Sequence, residues 1–247
     1  MTTTPQTAVV TGSTSGIGAA TARALAAAGT TVVVTGRDKS RGEALAAEIG
    51  GIFVPADLGG TYAGLRSFAA AARDALGGRV DILVNNAGVY PVTPTADLPD
   101  AELDRMLAIN VRAPHVLVAE LAPAMAERGH GSIVNIGSWM SRVGVPFGAG
   151  YTASKAAIEQ YTRTWAAEYG PRGVRVNTVA PGITLTPGNE YAQDVVDAQA
   201  KATPAGVPVK PEQVAAMVAF VVSDAASGIN GATLDVDGGL TATRLVW

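Results

Sequence analysis

One loop near the start of the chain reads Thr11-Gly12-Ser13-Thr14-Ser15-Gly16-Ile17-Gly18 and joins an apolar run at residues 7–11 to an alanine-rich helical pattern at residues 16–28. Glycines let the backbone turn sharply and approach a ligand closely, and a helix beginning there offers free N–H groups and a partial positive charge. The same pattern also fits a glycine-rich turn that binds nothing. Its place at the first strand-to-helix turn favours a loop that holds the pyrophosphate of a dinucleotide.

Outward from this loop, short β-branched runs alternate with longer segments of helical period. The pattern predicts strands at 7–11, 31–35, 52–55, 81–84, 132–136, 174–179 and 233–236, and helices at 16–28, 39–49, 61–76, 101–128, 151–169 and 211–222. Strict alternation implies parallel strands with right-handed crossovers, and apolar runs such as Val32-Val33-Val34 fit a sheet covered on both sides. We therefore predict an α/β fold, a Rossmann-type doubly wound, seven-stranded parallel sheet with helices on both faces and a ligand at the carboxyl ends of the strands.

The composition limits the classes of function. The 247 residues include no cysteine and two histidines, which excludes disulfides, thiolate sites and histidine-rich sites, so we expect no metal. A net charge of −3 without a long basic run argues against a nucleic acid or a membrane as partner. The chain has neither a signal-like start nor a stretch of about 18 apolar residues. We expect a cytoplasmic protein with a single dinucleotide-binding and catalytic domain over residues 1–247.

The end of the second predicted strand bears on the choice of cofactor. An enzyme that prefers NAD usually places a carboxylate there for the ribose 2′-hydroxyl, but this chain has Gly36 followed by Arg37. An arginine can bind a 2′-phosphate through two parallel hydrogen bonds, so we predict NADP(H). NAD(H) stays open, because Asp38 follows at once and Arg37 also fits a solvated helix start. After the third strand, Asp57, with Leu58 beside it, fits either an adenine contact or a helix N-cap.

Tyr151 and Lys155 are the candidates for catalysis. Their spacing of four places both side chains on one face of a predicted helix. A tyrosine has an ordinary pKa near 10, and a lysine cation about 4 Å away lowers it by up to about three pKa units, toward the range where acid/base catalysis works best. Such pairs are also common on helix surfaces. Ser138, just past the fifth strand, lies at the same end of the sheet, and we expect its hydroxyl to hold a substrate oxygen beside Tyr151.

The chain resembles the compact, single-domain branch of the short-chain dehydrogenase/reductase family over essentially its whole length. The resemblance rests on an ordered set of motifs: residues 11–18, Asp57, Asn85-Asn86-Ala87-Gly88, Asn110, Ser138, Tyr151, Lys155, Pro181-Gly182 and Asp235-Val236-Asp237-Gly238-Gly239. It implies hydride transfer between NADP(H) and a carbonyl or secondary-alcohol substrate, with Tyr151 as general acid/base, in a homotetramer. The chain is similar to 3-oxoacyl-carrier-protein reductase-like members, although Val207 stands where those often carry an arginine, which weakens the case for an acyl-carrier substrate.

The resemblance also implies roles for single residues. The cofactor would be lined by Asn86, Ala87, Gly88, Pro181, Gly182, Ile183 and Thr186, with Lys155 on its ribose. Asn110 would complete a tetrad with Ser138, Tyr151 and Lys155 by holding a water that returns protons to Lys155. Pro114 supports this role, because a proline lacks an N–H and leaves the Asn110 carbonyl without its usual helical partner. Pro114 also fits a plain helix kink.

The substrate is not identified by any motif. We expect residues 185–210 to cover it as a loop, and Trp139, Met140, Val145, Pro146 and Tyr90 fit either an apolar pocket wall or ordinary packing. Two other functions stay open. One is an NAD-dependent alcohol dehydrogenase on the same fold, in which Asp38 selects the cofactor. The other is a nucleotide-binding sensor without catalysis, which would have no need of an intact tetrad.

Overall fold

The computed structural model describes residues 5–91 and 93–243. Seven strands follow in chain order: β1 (Thr7–Val10), β2 (Thr31–Val34), β3 (Ile52–Phe53), β4 (Ile82–Asn85), β5 (Gly131–Ile136), β6 (Val174–Pro181) and β7 (Thr233–Val236). The α-helices are α1 (Gly16–Ala27), α2 (Lys39–Ile49), α3 (Tyr62–Ala75), α4 (Asp100–Leu107), α5 (Ala113–Glu127), α6 (Ala149–Tyr169), α7 (Gln193–Lys201) and α8 (Pro211–Val222).

All seven strands form one parallel sheet in the order β3-β2-β1-β4-β5-β6-β7. The chain winds outward from β1 in one direction and from β4 in the other, so the two strands meet at the point where a doubly wound sheet opens a crevice for ligands. The predicted Rossmann-type architecture is confirmed.

Successive strand residues point to opposite faces, and each face carries its own apolar layer. Val9 belongs to a layer with α3, α5 and α6, where Phe68, Leu117 and Trp165 are buried. Val10 belongs to the opposite layer, in which Leu25 of α1 and the valines of α8 are buried. Helices therefore cover both faces, and polar residues that serve a ligand are left for the ends of the strands.

The long helix expected at residues 101–128 is wrong as one piece. A π-helical turn at Ala108–Arg112 separates α4 from α5, and Pro114 is the second residue of α5. Because Pro114 has no N–H to offer the carbonyl four residues earlier, the wider turn is located where the α-helical bond to Asn110 is missing.

The segment at residues 185–210 is not a plain loop as expected. It contains a 3-10 turn at Glu190–Ala192 and then α7, which anchors itself through the buried side chains of Val196 and Ala200. These two side chains cluster with Ile183 and pack against Trp139, so α7 lies beside the loop that follows β5.

Candidate functional site

The loop after β1 has the shape that a phosphate requires. A Cβ atom on Gly18 would lie 2.4 Å from the carbonyl oxygen of Gly12 and 2.5 Å from Nδ2 of Asn86, so only glycine fits there. Ser15 caps α1 without a side-chain hydrogen bond, and the first turn has no acidic residue. The first N–H groups of α1 therefore remain for an anion, and this donor set fits the pyrophosphate of a dinucleotide.

A small hydrogen-bond network holds this loop against the end of β4. The Thr11 hydroxyl accepts from the backbone N–H groups of Asn86 at 2.9 Å and Ala87 at 3.0 Å. In return, the Asn86 side chain donates to the carbonyl of Thr11 at 2.8 Å. Ser13 plays a similar supporting part, because its buried hydroxyl donates to Val10 and accepts from the amide of Thr35.

At the end of β2, Asp38 and Arg37 are the two candidates for contact with the cofactor ribose, and they differ in the hydrogen bonds and ion pairs that they already make. Asp38 caps α2 by accepting from the amide of Arg41 at 3.0 Å, and its carboxylate lies 3.2 Å from the Arg41 guanidinium. Arg37 is exposed and lines the cleft, and within the described residues it makes neither a hydrogen bond nor an ion pair. Asp57 accepts from the amide of Gly59 and does not cap α3, whose N-cap is Thr61.

Ser138, Tyr151 and Lys155 meet where β5 ends and α6 begins. Ser138 caps the 3-10 turn Trp139–Ser141. Tyr151 lies in the first turn of α6, which begins two residues earlier than the start predicted at residue 151. Lys155 is buried, donates to the carbonyl of Ile136 at 2.8 Å, and places Nζ 5.9 Å from the centre of the Tyr151 ring.

Burial governs the ionisation of this pair. Removal from water lowers the pKa of Lys155 to about 8, because the charged form loses its hydration. Burial raises the pKa of Tyr151, and its side-chain hydrogen bond with Ser138 opposes this while Tyr90 adds to it. The expectation that Lys155 lowers the pKa of Tyr151 toward neutrality is wrong for the protein without a bound cofactor, because burial is the largest cause of the shift and raises this pKa. Tyr151 is thus held as a protonated phenol at neutral pH.

Asn110 is buried beside this group, within the π-helical turn, but it does not line the cleft. Its side chain accepts from the amide of Val89 and donates to the Val89 carbonyl, both at 2.9 Å. It also donates to the Ser154 hydroxyl at 3.0 Å. A Cβ on Gly88 would lie 3.4 Å from Asn110 Oδ1 and 3.5 Å from Lys155 Nζ, so Gly88 separates the two side chains. The Asn110 side chain therefore fixes the loop after β4 to α6.

A single cleft of about 740 Å³ runs along the carboxyl ends of the strands and brings most of the predicted residues together. The predicted residues that line it are Gly12, Thr14, Ser15, Gly16, Ile17, Gly18, Arg37, Asp57, Leu58, Asn86, Ala87, Gly88, Ser138, Tyr151, Lys155, Pro181, Gly182, Ile183 and Thr186. Ser13 and Asn110 do not line the cleft; their side chains form hydrogen bonds that hold the loops around it. Of the suggested pocket wall, Tyr90, Trp139 and Met140 do line the cleft, whereas Val145 and Pro146 do not.

Several lining residues were missed from the sequence. Phe147 stands at the turn before α6, and Val195, Val196 and Gln199 come from α7. A signal for α7 was present in the apolar pair Val196 and Ala200, four residues apart, but two residues in nine are a weak pattern.

The chain matches a family model described as "Enoyl-(Acyl carrier protein) reductase" over residues 12–241. A structure described as a short-chain dehydrogenase/reductase family protein superposes with a TM-score of 0.89 at 48% identity, covering 96% of this chain and 98% of that one. This chain belongs to the short-chain dehydrogenase/reductase family. Oxidoreductases of this family act on alcohols and ketones and use NAD(P)(H).

Two further members of the short-chain dehydrogenase/reductase family illustrate its range. A D-threitol dehydrogenase from Mycolicibacterium smegmatis is 40% identical over 95% of this chain and 92% of its own length. A gluconate 5-dehydrogenase from Burkholderia cenocepacia, in complex with NADP and tartrate, superposes with a TM-score of 0.90 at 31% identity over 96% of each chain.

Within residues 5–91 and 93–243 of the present chain, the helices are too short or too polar to span a lipid bilayer.

Proposed function

We propose that this chain moves a hydride between NADP(H) and a carbonyl or secondary-alcohol substrate, with Tyr151 as the general acid/base. The observation that carries the proposal is the convergence of Ser138, Tyr151 and Lys155 on one cleft, beside a loop that only glycine could shape. A family member that only sensed nucleotides would have no need of Ser138 and Tyr151 beside Lys155 in the cleft.

The proposed mechanism assigns one task to each side chain. The nicotinamide, when bound, supplies or accepts the hydride. Ser138 holds the substrate oxygen, and Tyr151 donates the proton to it during reduction. Lys155 binds the ribose and restores the proton to Tyr151. Asn110 positions the loop after β4, and its main-chain carbonyl, lacking an α-helical partner, holds the water that supplies Lys155.

Reduction is the direction that suits the protonated state of Tyr151. Its raised pKa keeps the proton on the phenol at neutral pH, ready for transfer to a developing alkoxide. The lowered pKa of Lys155, about 8, lets that amine exchange a proton with Tyr151 and water under the same conditions.

The cofactor site extends from the phosphate loop to the end of β6. The proposed contacts are Gly12 to Gly18, Arg37, Asp57, Leu58, Asn86, Ala87, Gly88, Pro181, Gly182, Ile183 and Thr186, together with Tyr151 and Lys155. Arg37 favours NADP(H) because, among the described residues, it makes neither a hydrogen bond nor an ion pair and can bind a 2′-phosphate. Asp38, in contrast, already caps α2 and pairs with Arg41. The gluconate 5-dehydrogenase relative in complex with NADP is in keeping with this choice.

The whole chain, residues 1–247, is proposed to form one catalytic domain in which residues 185–210 cover the substrate. Placement of α7 against Trp139 supports this, because it brings the segment over the cleft. We also propose a homotetramer acting in the cytoplasm, where a chain without cysteine loses nothing to a reducing environment.

The substitution Tyr151→Phe tests the proposed chemistry. It removes the acidic proton and keeps the ring, so turnover of ketones should fall at least a hundredfold while NADPH affinity, measured by fluorescence titration, stays within about twofold of the parent. The matched control is Tyr62→Phe, which removes the hydroxyl of an exposed tyrosine on α3. Full activity in Tyr151→Phe would end the proposal.

Cofactor choice is tested by titrating the protein with NADPH and with NADH. We expect NADPH to bind more tightly, and Arg37→Ala to remove about tenfold or more of that preference, since a charge-assisted hydrogen bond contributes roughly 1.5–3 kcal/mol. The matched control is Arg41→Ala, which removes a nearby cation that is already paired with Asp38. If NADH binds better to the parent protein, the preference assigned to Arg37 is wrong.

A further inference from the structure

The cleft has two chemically distinct parts. Its cofactor part consists of the phosphate loop and the ends of β2, β3, β4 and β6. Its substrate part lies beyond Ser138 and Tyr151 and is walled by Tyr90, Trp139, Phe147, Val195, Val196 and Gln199. Trp139 packs against the cluster that holds α7, so the loop after β5 and α7 form adjoining walls of this part.

Charge is absent from the described lining of the substrate part. The charged residues among the described lining of the whole cleft are Arg37, Asp57 and Lys155. Arg37 and Asp57 follow β2 and β3, three and four positions across the sheet from β5, which leads into Ser138. Lys155 is buried below Tyr151 and already donates to Ile136. An anionic substrate group would therefore lose its hydration without gaining a cation.

Arg142, which follows the loop after β5, is already paired with carboxylates. Arg142, at the end of the turn that carries Trp139, forms ion pairs with Asp235 and with Glu159, the latter at 3.6 Å. It does not line the cleft. A carboxylate or phosphate on the substrate would have to break this arrangement to obtain a partner.

Few side chains in the described wall of the substrate part carry hydrogen-bonding groups: the Tyr90 hydroxyl, the Trp139 indole N–H and the Gln199 amide. Asn189 accepts from the Thr186 amide and donates to the Thr184 carbonyl, and the Thr184 hydroxyl donates to Gly182. What α7 offers toward the cleft is one amide, Gln199, beside the apolar side chains of Val195 and Val196. A substrate with several hydroxyl groups would leave most of them unpaired, and each unpaired buried hydroxyl is unfavourable.

We infer that the substrate is an uncharged ketone or secondary alcohol on an apolar carbon skeleton, bound against Trp139 and the cleft-lining side chains of α7. This inference rests on the proposed function, since it concerns the compound whose oxygen meets Ser138 and Tyr151. The apolar wall excludes water from the skeleton, and burial of each additional CH₂ group adds to binding. Gln199 is the position at which a single side chain sets this preference.

The test uses three ketones with one ring: 4-methylcyclohexanone, 4-hydroxycyclohexanone and 4-oxocyclohexanecarboxylate. With NADPH, kcat/KM should be highest for the methyl compound, lower by on the order of tenfold for the hydroxyl compound, and lower by on the order of a hundredfold for the carboxylate. Binding of the same compounds to Tyr151→Phe loaded with NADPH, followed by calorimetry, should give the same order without turnover.

A gain of function provides the sharper readout. Gln199→Arg places a cation in the substrate part and should raise kcat/KM for the carboxylate by about tenfold or more, with a smaller change for the methyl compound. The control is Gln193→Arg, which adds the same charge to an exposed position of α7 that does not line the cleft. An equal effect of both arginines would overturn the inference, because the cause would be long-range attraction.

The outcomes separate this inference from the proposed function. If the carboxylate or the hydroxyl compound is bound and reduced best by the parent protein, the inference is overturned and the proposed reaction stands. If none of the three is reduced but Tyr151→Phe binds them in the expected order, the substrate class stands and the proposed reaction fails. If they are neither bound nor reduced, the inference is overturned.

Discussion

The charged groups at the two ends of the sheet differ in how many hydrogen-bond and ion-pair partners they have. At the amino end, the buried carboxylate of Asp81 accepts from the Thr7 amide at 3.0 Å, from the Thr7 hydroxyl at 3.1 Å and from Arg79 at 2.7 Å. Nearby, Arg175 donates to five backbone carbonyls around the end of α8. At the carboxyl end, buried Lys155 donates to one carbonyl and, among the described residues, has no carboxylate partner.

This contrast separates charges that hold the fold from charges that serve a ligand. Asp81 is saturated, so nothing in a substrate or cofactor could improve its surroundings. Lys155 is under-coordinated, and its lowered pKa records the free energy that burial has cost it. A ligand offering hydroxyl oxygens to Lys155 would recover part of that free energy. The comparison predicts that removal of these two charges changes stability in opposite directions.

The largest effect is expected from Lys155→Met. Turnover should fall by on the order of a hundredfold or more, because Tyr151 loses its proton partner. The free energy of unfolding at pH 7 should nevertheless rise by about 1–2 kcal/mol, because the desolvation of the ammonium, roughly 3 kcal/mol, exceeds the roughly 1 kcal/mol of one lost hydrogen bond. Urea unfolding of the parent and the variant measures this difference.

The pH dependence of that difference has a definite sign. The pKa of Lys155 is about 8 in the folded protein and has an ordinary value of 10.5, so the unfolded chain binds the extra proton between these values. The parent protein therefore gains stability as the pH rises from about 8, and the advantage of Lys155→Met shrinks. A constant advantage from pH 7 to pH 10 would show that the gain comes from packing and not from charge.

A change of opposite sign in stability, without the loss of turnover, is expected from Asp81→Asn. The neutral amide weakens the bonds to Arg79 and Thr7, and we expect a loss of about 1–3 kcal/mol in the free energy of unfolding, with kcat/KM of the folded enzyme unchanged. Arg79 is half-exposed and can reach water, which limits the loss. Reduced turnover at temperatures where the variant is fully folded would contradict a purely structural role.

Sequence reasoning recovered the elements whose signals are long. The predicted bounds of α2, α8 and β7 agree with the structure to the residue; Asp38 caps the start of α2, and Pro211 is the first residue of α8. The glycine loop and the Tyr151–Lys155 pair were also found, since spacing alone defines them. The motif residues were therefore predicted at one edge of the sheet, where most of them line the cleft.

What sequence reasoning missed depends on the environment of each residue. The π-helical turn at Ala108–Arg112 precedes Pro114. A proline within a helical segment can be accommodated by a kink, a break or a wider turn, and the sequence does not show which of these forms. The pKa of Tyr151 depends on burial, which no spacing reveals, and the shift predicted from the Tyr151–Lys155 pair therefore has the wrong direction. The apolar lining from α7 was missed because only two of its side chains, Val196 and Ala200, are buried.

The side chains of α7 fall into two groups, one that anchors the helix and one that lines the cleft. Val196 and Ala200 attach the helix to the protein, while Val195 and Gln199 are exposed on the side that meets the cleft. Within the nine residues of α7, the side chains that attach the helix therefore differ from those that can contact a substrate. Substrate scope is consequently open to change by natural drift or by a two-site library at Val195 and Gln199, with the catalytic group and the sheet left untouched.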